Sequence, residues 1–307
     1  MPRPNRALLP AVLFVCTLAA IFVTWLGFPW QGLSAEELRR IRWPAIQGAL
    51  EFTVAVVVIL GSHELGHWLL ARRHGVSASL PYFIPLPGVG FGTLGAVIRV
   101  RDRIPSRNAL VDIGAAGPLA GFLVALPFLA WGYAHSTWVA SPAVTGGFLG
   151  PMSLWSMAKH GVPQGNLLVF GDNLLLSGFA RLFLGPTPQG ADVLAHPFVT
   201  AGWLGTLVTM LNLFPIGQLD AGHLTFALFG RRARLLGALS LLALLLLAIF
   251  ASASWLLWFL VVGLFVGVRH PEVSRPEEPL SPGRVWVCAV TLAVAVLCFL
   301  PAPIVVG

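Results

Sequence analysis

His63-Glu64-Leu65-Gly66-His67 lies inside an apolar run covering residues 45 to 70, whose first part, residues 45 to 61, carries a single charge at Glu51. Two histidines at i and i+4 share one face of a helix, where they can hold a metal ion, and a glutamate between them can act as a base on water. Ionisable groups at membrane depth are costly and usually mark function. The pentapeptide therefore predicts a membrane-spanning helix and a hydrolytic metal centre in the same place. The alternative reading is a helix face with two interfacial histidines and a snorkelling glutamate.

Composition supports the membrane half of that reading. Of 307 residues, 57% are hydrophobic and only 10% charged, with a mean hydropathy of +0.83. A soluble domain carries about a quarter of its residues charged, so an ordinary globule is excluded and a polytopic membrane protein is expected. The formal charge of +7 does not point to nucleic acid, because the arginines cluster in short segments beside apolar runs, where positive charge sets orientation. Lys159 is the sole lysine. Cys16, Cys288 and Cys298 all fall in apolar runs without metal-ligand spacing and read as buried free thiols.

With about 20 apolar residues per crossing, helices are expected near 7 to 28, 45 to 70, 108 to 134, 197 to 213 and 285 to 303. Arg3 and Arg6 precede the first, whose length favours a retained span over a signal sequence. The run 235 to 268 would make a helix of about 50 Å, too long for one crossing, so two short helices meeting near Ser252-Ala253-Ser254 are predicted. The total is six to eight. Basic loops at 72 to 74, 99 to 107, 231 to 234 and 269 to 284 place the end of the second helix at the cytoplasmic face, although Arg39, Arg40 and Arg42, beside Glu36 and Glu37, run against that rule.

Residues 80 to 103 are rich in Pro, Gly and β-branched residues and read as a hairpin or re-entrant loop. Irregular backbone at membrane depth needs a protein or water-filled cavity around it, which a buried hydrolase also needs. A free strand edge there could pair with an unwound substrate. An ordinary cytoplasmic loop is the alternative. Residues 135 to 196 form a long connection without a compact soluble domain, interrupted by an amphipathic segment at 174 to 184. The expected fold is thus an all-α polytopic membrane protein with a re-entrant β-hairpin-like loop after the H-E-x-x-H helix.

A zinc hydrolase usually takes three protein ligands and leaves one position open. No glutamate occurs between Glu64 and Glu272, and Leu70 and Arg73 stand where a metzincin continuation needs glycine and histidine. Five aspartates remain after the motif. Asp102 is flanked by Arg101 and Arg103, Asp172 and Asp192 lie in the long connection, and Asp112 opens the third helix. Asp220 stands out because Pro215 and Gly217 break the chain just before it and could turn its carboxylate inward.

H-E-L-G-H at 63 to 67, together with N-x-x-P-x-x-x-L-D at 212 to 220, resembles the site-2 protease family of intramembrane zinc metalloproteases. The likeness extends to residues 92 to 107 and to Gly117-Pro118-Leu119-Ala120-Gly121, and covers about 45 to 235. It implies zinc held by His63, His67 and Asp220, Glu64 as catalytic base, and Asn212 supporting the substrate backbone, with Pro215 and Gly222 as further supporting positions. It also implies an endopeptidase that cleaves transmembrane segments of membrane proteins in a lipid bilayer, without nucleic acid. Ala221 departs from the family's usual glycine. With no PDZ module or nucleotide-sensing domain, the chain looks like the compact branch that includes chloroplast and cyanobacterial members. Three regions follow: residues 1–44 with the first helix and a loop, 45–235 as catalytic core, and 236–307 as C-terminal helices. The expected location is the cell membrane, with an organelle membrane as alternative. His74 and His223 are candidates for metal or supporting contacts but read better as interfacial. An ion-binding transporter and a zinc-binding pseudoprotease remain as competing functions.

Overall fold

The computed structural model describes residues 7–27, 35–140, 152–160, 168–271 and 273–306. Arg3, Arg6 and Glu272 lie outside the described residues, as do the side chains of Glu36, Glu37, Arg39, Arg40 and Arg42. Among the described residues ten α-helices dominate. α1 is Leu8–Gly27, α2 Ala35–Arg73, α3 Arg107–Ala134, α4 Leu154–His160 and α5 Leu174–Leu184. They are followed by α6 Pro197–Asn212, α7 Asp220–Phe229, α8 Ala233–Phe250, α9 Ser254–Val261 and α10 Pro282–Cys298.

Among the described residues four helical stretches are long and apolar enough to cross a membrane: Leu8–Gly27, Trp43–Arg73, Arg107–Ala134 and Asp220–Phe250. Their outer faces expose apolar side chains such as Val15, Leu123, Leu235 and Leu242. A soluble protein would hide so continuous an apolar surface; a membrane protein offers it to lipid. Four long spans are fewer than the six to eight expected. The difference comes from length: α6 has 16 residues and α10 has 17, so each extends about 25 Å, short of a hydrocarbon core of about 30 Å. α2 also begins ten residues before the predicted start and accommodates Pro44 within it. The long run near the C-terminus does break, with α8 ending at Phe250 and α9 starting at Ser254. Ser252 and Ser254 face each other there, 2.9 Å apart through their hydroxyls.

The core is built on α2, α3 and α6. Gly66 of α2 lies so close to α3 that a Cβ would stand 2.5 Å from the Ala116 carbonyl oxygen. Gly205 of α6 likewise receives Ile59 of α2, and Gly202 receives Leu129 of α3. Small residues are what allow such close approach where no water-driven force pulls helices together. Phe52, Val56 and Leu60 of α2 fill the space between them with Leu129, Trp203 and Leu204.

The sheets are small. β1 Tyr82–Pro85 and β2 Thr93–Val97 form an antiparallel hairpin between α2 and α3. Its turn rests on α1, where Gly88 N–H donates to Thr24 Oγ1 at 2.9 Å and a Cβ on Gly92 would meet the Ile21 backbone at 2.5 Å. Its base continues through the pairing of Ser79 with Arg99 and of Ser77 with Arg101. The Asp102 carboxylate accepts from the Ser77 N–H at 2.9 Å, and hydrogen bonding to Ser77 holds that carboxyl below its ordinary pKa. Asp102 is thus a loop staple whose hydrogen-bond partner is the Ser77 backbone amide. In the long connection, α5 falls on the expected amphipathic segment. β3 Thr137–Ala140 pairs with β5 Ala191–Leu194, and β4 Leu168–Phe170 pairs with β6 Ile304–Val306.

Candidate metal centre

His63 and His67 project from α2 toward α3 and α7, four residues apart and both buried. At 1.5 Å per residue they stand about 15 and 9 Å from Arg73 at the end of the helix. α3 is shaped to receive them. A Cβ on Gly117 would fall 2.1 Å from His67 Nε2, and one on Gly121 would fall 3.2 Å from His63 Cβ. The His67 Nδ1 hydrogen bonds to the Ile113 carbonyl oxygen at 2.7 Å. A carbonyl only accepts, so Nδ1 carries the proton and Nε2 faces the centre, the supporting arrangement typical of metal-ligating histidines.

Asp220 arrives from the other side. α6 ends at Asn212, an irregular turn follows, and Asp220 opens α7, where a carboxylate at a helix N-terminus is favoured. Gly217 takes φ +50°, and a Cβ on Gly222 would stand 2.4 Å from the Gly217 carbonyl oxygen, so both glycines are needed to fold the turn tightly. Ala221, the departure from the family pattern, occupies a half-buried position against the core without strain. Asp220 Oδ2 lies 3.2 Å from His63 Nε2, and Oδ1 lies 3.2 Å from His67 Nε2.

The donor set suits zinc. One ligand atom from each of His63, His67 and Asp220 can be chosen so that all lie within 4.8 Å of one another. A tetrahedral zinc about 2.0–2.2 Å from each N or O donor needs donors roughly 3.3 Å apart, close to the observed separations. With its proton committed to Ile113, a neutral His67 turns a lone pair toward the Asp220 carboxylate. A cation between them converts that repulsion into attraction.

Glu64 is buried beside the two histidines, with the Ile98 backbone amide at the base of the hairpin facing its carboxylate. The Asn212 amide lies 3.4 Å from His63 Nε2. All five residues line one cavity of about 600 Å³, whose opposite wall is the hairpin extension with Arg99, Arg101 and Arg103. Pro215 and Gly222 do not line it; they shape the turn that presents Asp220.

The remaining candidates fall elsewhere. His74 Nε2 lies 2.9 Å from Asp112 Oδ2, and Arg284 of α10 grips the same carboxylate through Nε and Nη2. Asp112 is therefore an ion-pair partner joining α3 and α10 to the residue that follows α2, and it is not one of the metal donors. Glu51 receives the Gln47 amide and lies 3.4 Å from His196 Nε2. His223, read as interfacial, instead lines the cavity and meets His270 at 2.6 Å, Nδ1 to Nε2. Burial lowers the His270 pKa, which keeps that imidazole neutral. Sequence reasoning quoted Gly117 and Gly121 without a role for them and missed Gly114, the Ile113 carbonyl and His270. The spacing of Gly114, Gly117 and Gly121 along one helix face was a usable signal. The Ile113 carbonyl and His270 gave none.

A buried two-histidine, one-carboxylate donor set with an adjoining glutamate, carried on helices long and apolar enough to cross a membrane, has the ligand pattern of a zinc-hydrolase site. Residues 51–254 match Peptidase family M50, and the chain belongs to that family. It is 32% identical over 262 residues to "Probable zinc metalloprotease EGY1, chloroplastic" of Arabidopsis thaliana, a match covering 84% of this chain and 44% of that protein. It is 30% identical over 276 residues to "Probable zinc metalloprotease EGY2, chloroplastic" of the same plant, covering 88% and 44%. The EGY2 protein of Oryza sativa subsp. indica is 30% identical over 255 residues, covering 83% and 41%. The chain thus spans less than half the length of these curated relatives. No solved structure matches it. The relatives' printed names and the donor set agree on zinc as the metal.

Proposed function

We propose that the chain is a zinc-dependent intramembrane endopeptidase that cleaves transmembrane segments of membrane proteins. The observation that carries this reading is the convergence of His63, His67 and Asp220 beside Glu64 in one cavity within the helical core. His63, His67 and Asp220 hold the metal. Zinc in such a site lowers the pKa of water toward 7 and polarises a carbonyl. Glu64 takes the proton from the attacking water and delivers it to the leaving amine nitrogen. Asn212 supports the substrate backbone, while Pro215 and Gly222 hold the turn that aims Asp220.

A transmembrane helix must unwind to be cut, because its carbonyls are bonded within it. Gly and Pro near the cleavage point ease that step. The hairpin extension along one wall supplies a strand edge for the unwound segment, and its contact with α1 supports a re-entrant position. Four helical stretches cross the bilayer, and the shorter helices α6, α9 and α10 pack between them without a full crossing of their own. Residues 1–44, 45–235 and 236–307 then serve as the N-terminal helix region, catalytic core and C-terminal helices. Arg72, Arg73, Arg99, Arg101, Arg103 and Arg284 sit at the same end as the cavity, which supports a site opening toward the cytoplasm of a cell membrane, or the equivalent face of an organelle membrane.

Reconstitution of the chain with candidate single-span proteins tests the reading. Wild type is expected to cut at least one of them, and Glu64→Gln to retain zinc and cut none. Full activity of Glu64→Gln would sink it.

A further inference from the structure

The His223–His270 pair stands in the wall of the catalytic cavity without a task in the reaction just described. Its hydrogen bonds fix where its protons are. The Pro271 carbonyl oxygen can only accept, so His270 Nδ1, 2.5 Å away, donates to it. A neutral imidazole has one N–H, which leaves His270 Nε2 as an acceptor. His223 Nδ1, 2.6 Å from that Nε2, must therefore donate. The remaining nitrogen, His223 Nε2, is left with a lone pair. Among the described residues it has no hydrogen-bond partner, and it is not a buried orphan, so it is open to the cavity.

The ring is also held in place. His223 follows Asp220 by three residues on α7, which puts both on one helix face. A Cβ on Gly114 of α3 would stand 2.9 Å from His223 Cβ, so α3 closes off the space behind it. Phe226 stacks on His270 with ring centroids 4.4 Å apart. A fixed acceptor needs a donor. An unwound peptide segment brings main-chain N–H groups that have lost their carbonyl partners, and each one left unmet in a dry site weakens binding.

We propose that His223 Nε2 accepts a hydrogen bond from a main-chain N–H of the unwound substrate, with His270 and Pro271 as positioning residues that keep it an acceptor. The inference rests on the endopeptidase reading. It gives the cavity an acceptor for substrate N–H groups beside the Asn212 amide, which donates.

The test uses the zinc-loaded full chain carrying Glu64→Gln in bilayer discs, and a fluorescent synthetic single-span peptide with a Gly-Pro pair near the end facing the arginines. A series of peptides replaces one amide at a time with an ester, removing a single N–H. One ester position is expected to weaken binding about five- to tenfold when His223 is intact and to have no effect after His223→Leu. His223→Gln, which retains an acceptor, is expected to recover part of that sensitivity, and His270→Leu to reduce it. Metal analysis of every variant is expected to give about one zinc per chain, separating a lost contact from a lost fold. Ester penalties identical with and without His223 at every position overturn the proposal. Failure of the peptide to bind the His223-intact protein at all overturns the endopeptidase reading, and this proposal with it.

Discussion

Gly117 faces the imidazole of His67 so closely that a Cβ in its place would stand 2.1 Å from Nε2. The atom it would strike belongs to a ring already tied to Ile113, so the clash cannot be relieved by swinging the ring away. Gly117→Ala should therefore lower zinc content to well below one per chain and cut proteolysis at least about tenfold, the order expected when a metal ligand loses its support. Gly121→Ala, facing looser contacts with His63, should cost less. Metal analysis beside a cleavage assay reads both.

The turn before Asp220 makes a second demand. A Cβ at position 222 would stand 2.4 Å from the Gly217 carbonyl oxygen, a backbone atom that cannot step aside. Gly222→Ala should destabilise the protein by about 1–3 kcal/mol and move Asp220 off the centre. Ala221→Gly, one residue earlier, should leave zinc binding intact. Thermal melts with and without a chelator distinguish the two.

Arg284 holds Asp112 through Nε and Nη2, with the shorter bond at 2.7 Å. Arg284→Met leaves a mostly buried carboxylate with His74 alone, an expected loss of about 2–3 kcal/mol. Lysine should not restore it, because it lacks the planar fork. The measurement is the melting temperature, with zinc content as the control that should stay unchanged.

The Ser77–Asp102 staple gives a pH dependence. Its hydrogen bonds hold the Asp102 carboxyl below the ordinary value, so the ionised form is favoured in the folded state. The contribution is present above the unfolded pKa of about 4 and disappears as pH falls through the lower folded value. Amide exchange at Ser77, corrected for its intrinsic rate, should stay protected from pH 7 to about 4 and lose protection below that. Asp102→Ala should remove the protection throughout.

What could be read before the fold was known followed from residue type and spacing. His63 and His67 declare a shared face by sequence distance alone, and Asp220 is marked by the Pro215 and Gly217 break beside it. Asp112 is the weaker candidate on sequence, and the approach of Arg284 from 172 residues away shows that its carboxylate is already engaged. His223 looked interfacial because its partner, His270, comes from a proline-rich loop with no periodic signal. The Ile113 carbonyl could not be found by any reading of side chains. The span count differed because apolar composition gives hydrophobicity, whereas crossing also needs length, and α6 is short and almost wholly enclosed.

The hairpin is clasped at two ends: its turn against Thr24 and Ile21 of α1, and its base where the Ile98 amide faces Glu64. α1 supplies no member of the metal donor set, yet β2 runs from its contact with α1 to the Ile98 amide beside Glu64. A sideways displacement of that helix in the bilayer, whether from a neighbouring helix or a change in lipid thickness, would reach the Glu64 carboxylate through the hairpin.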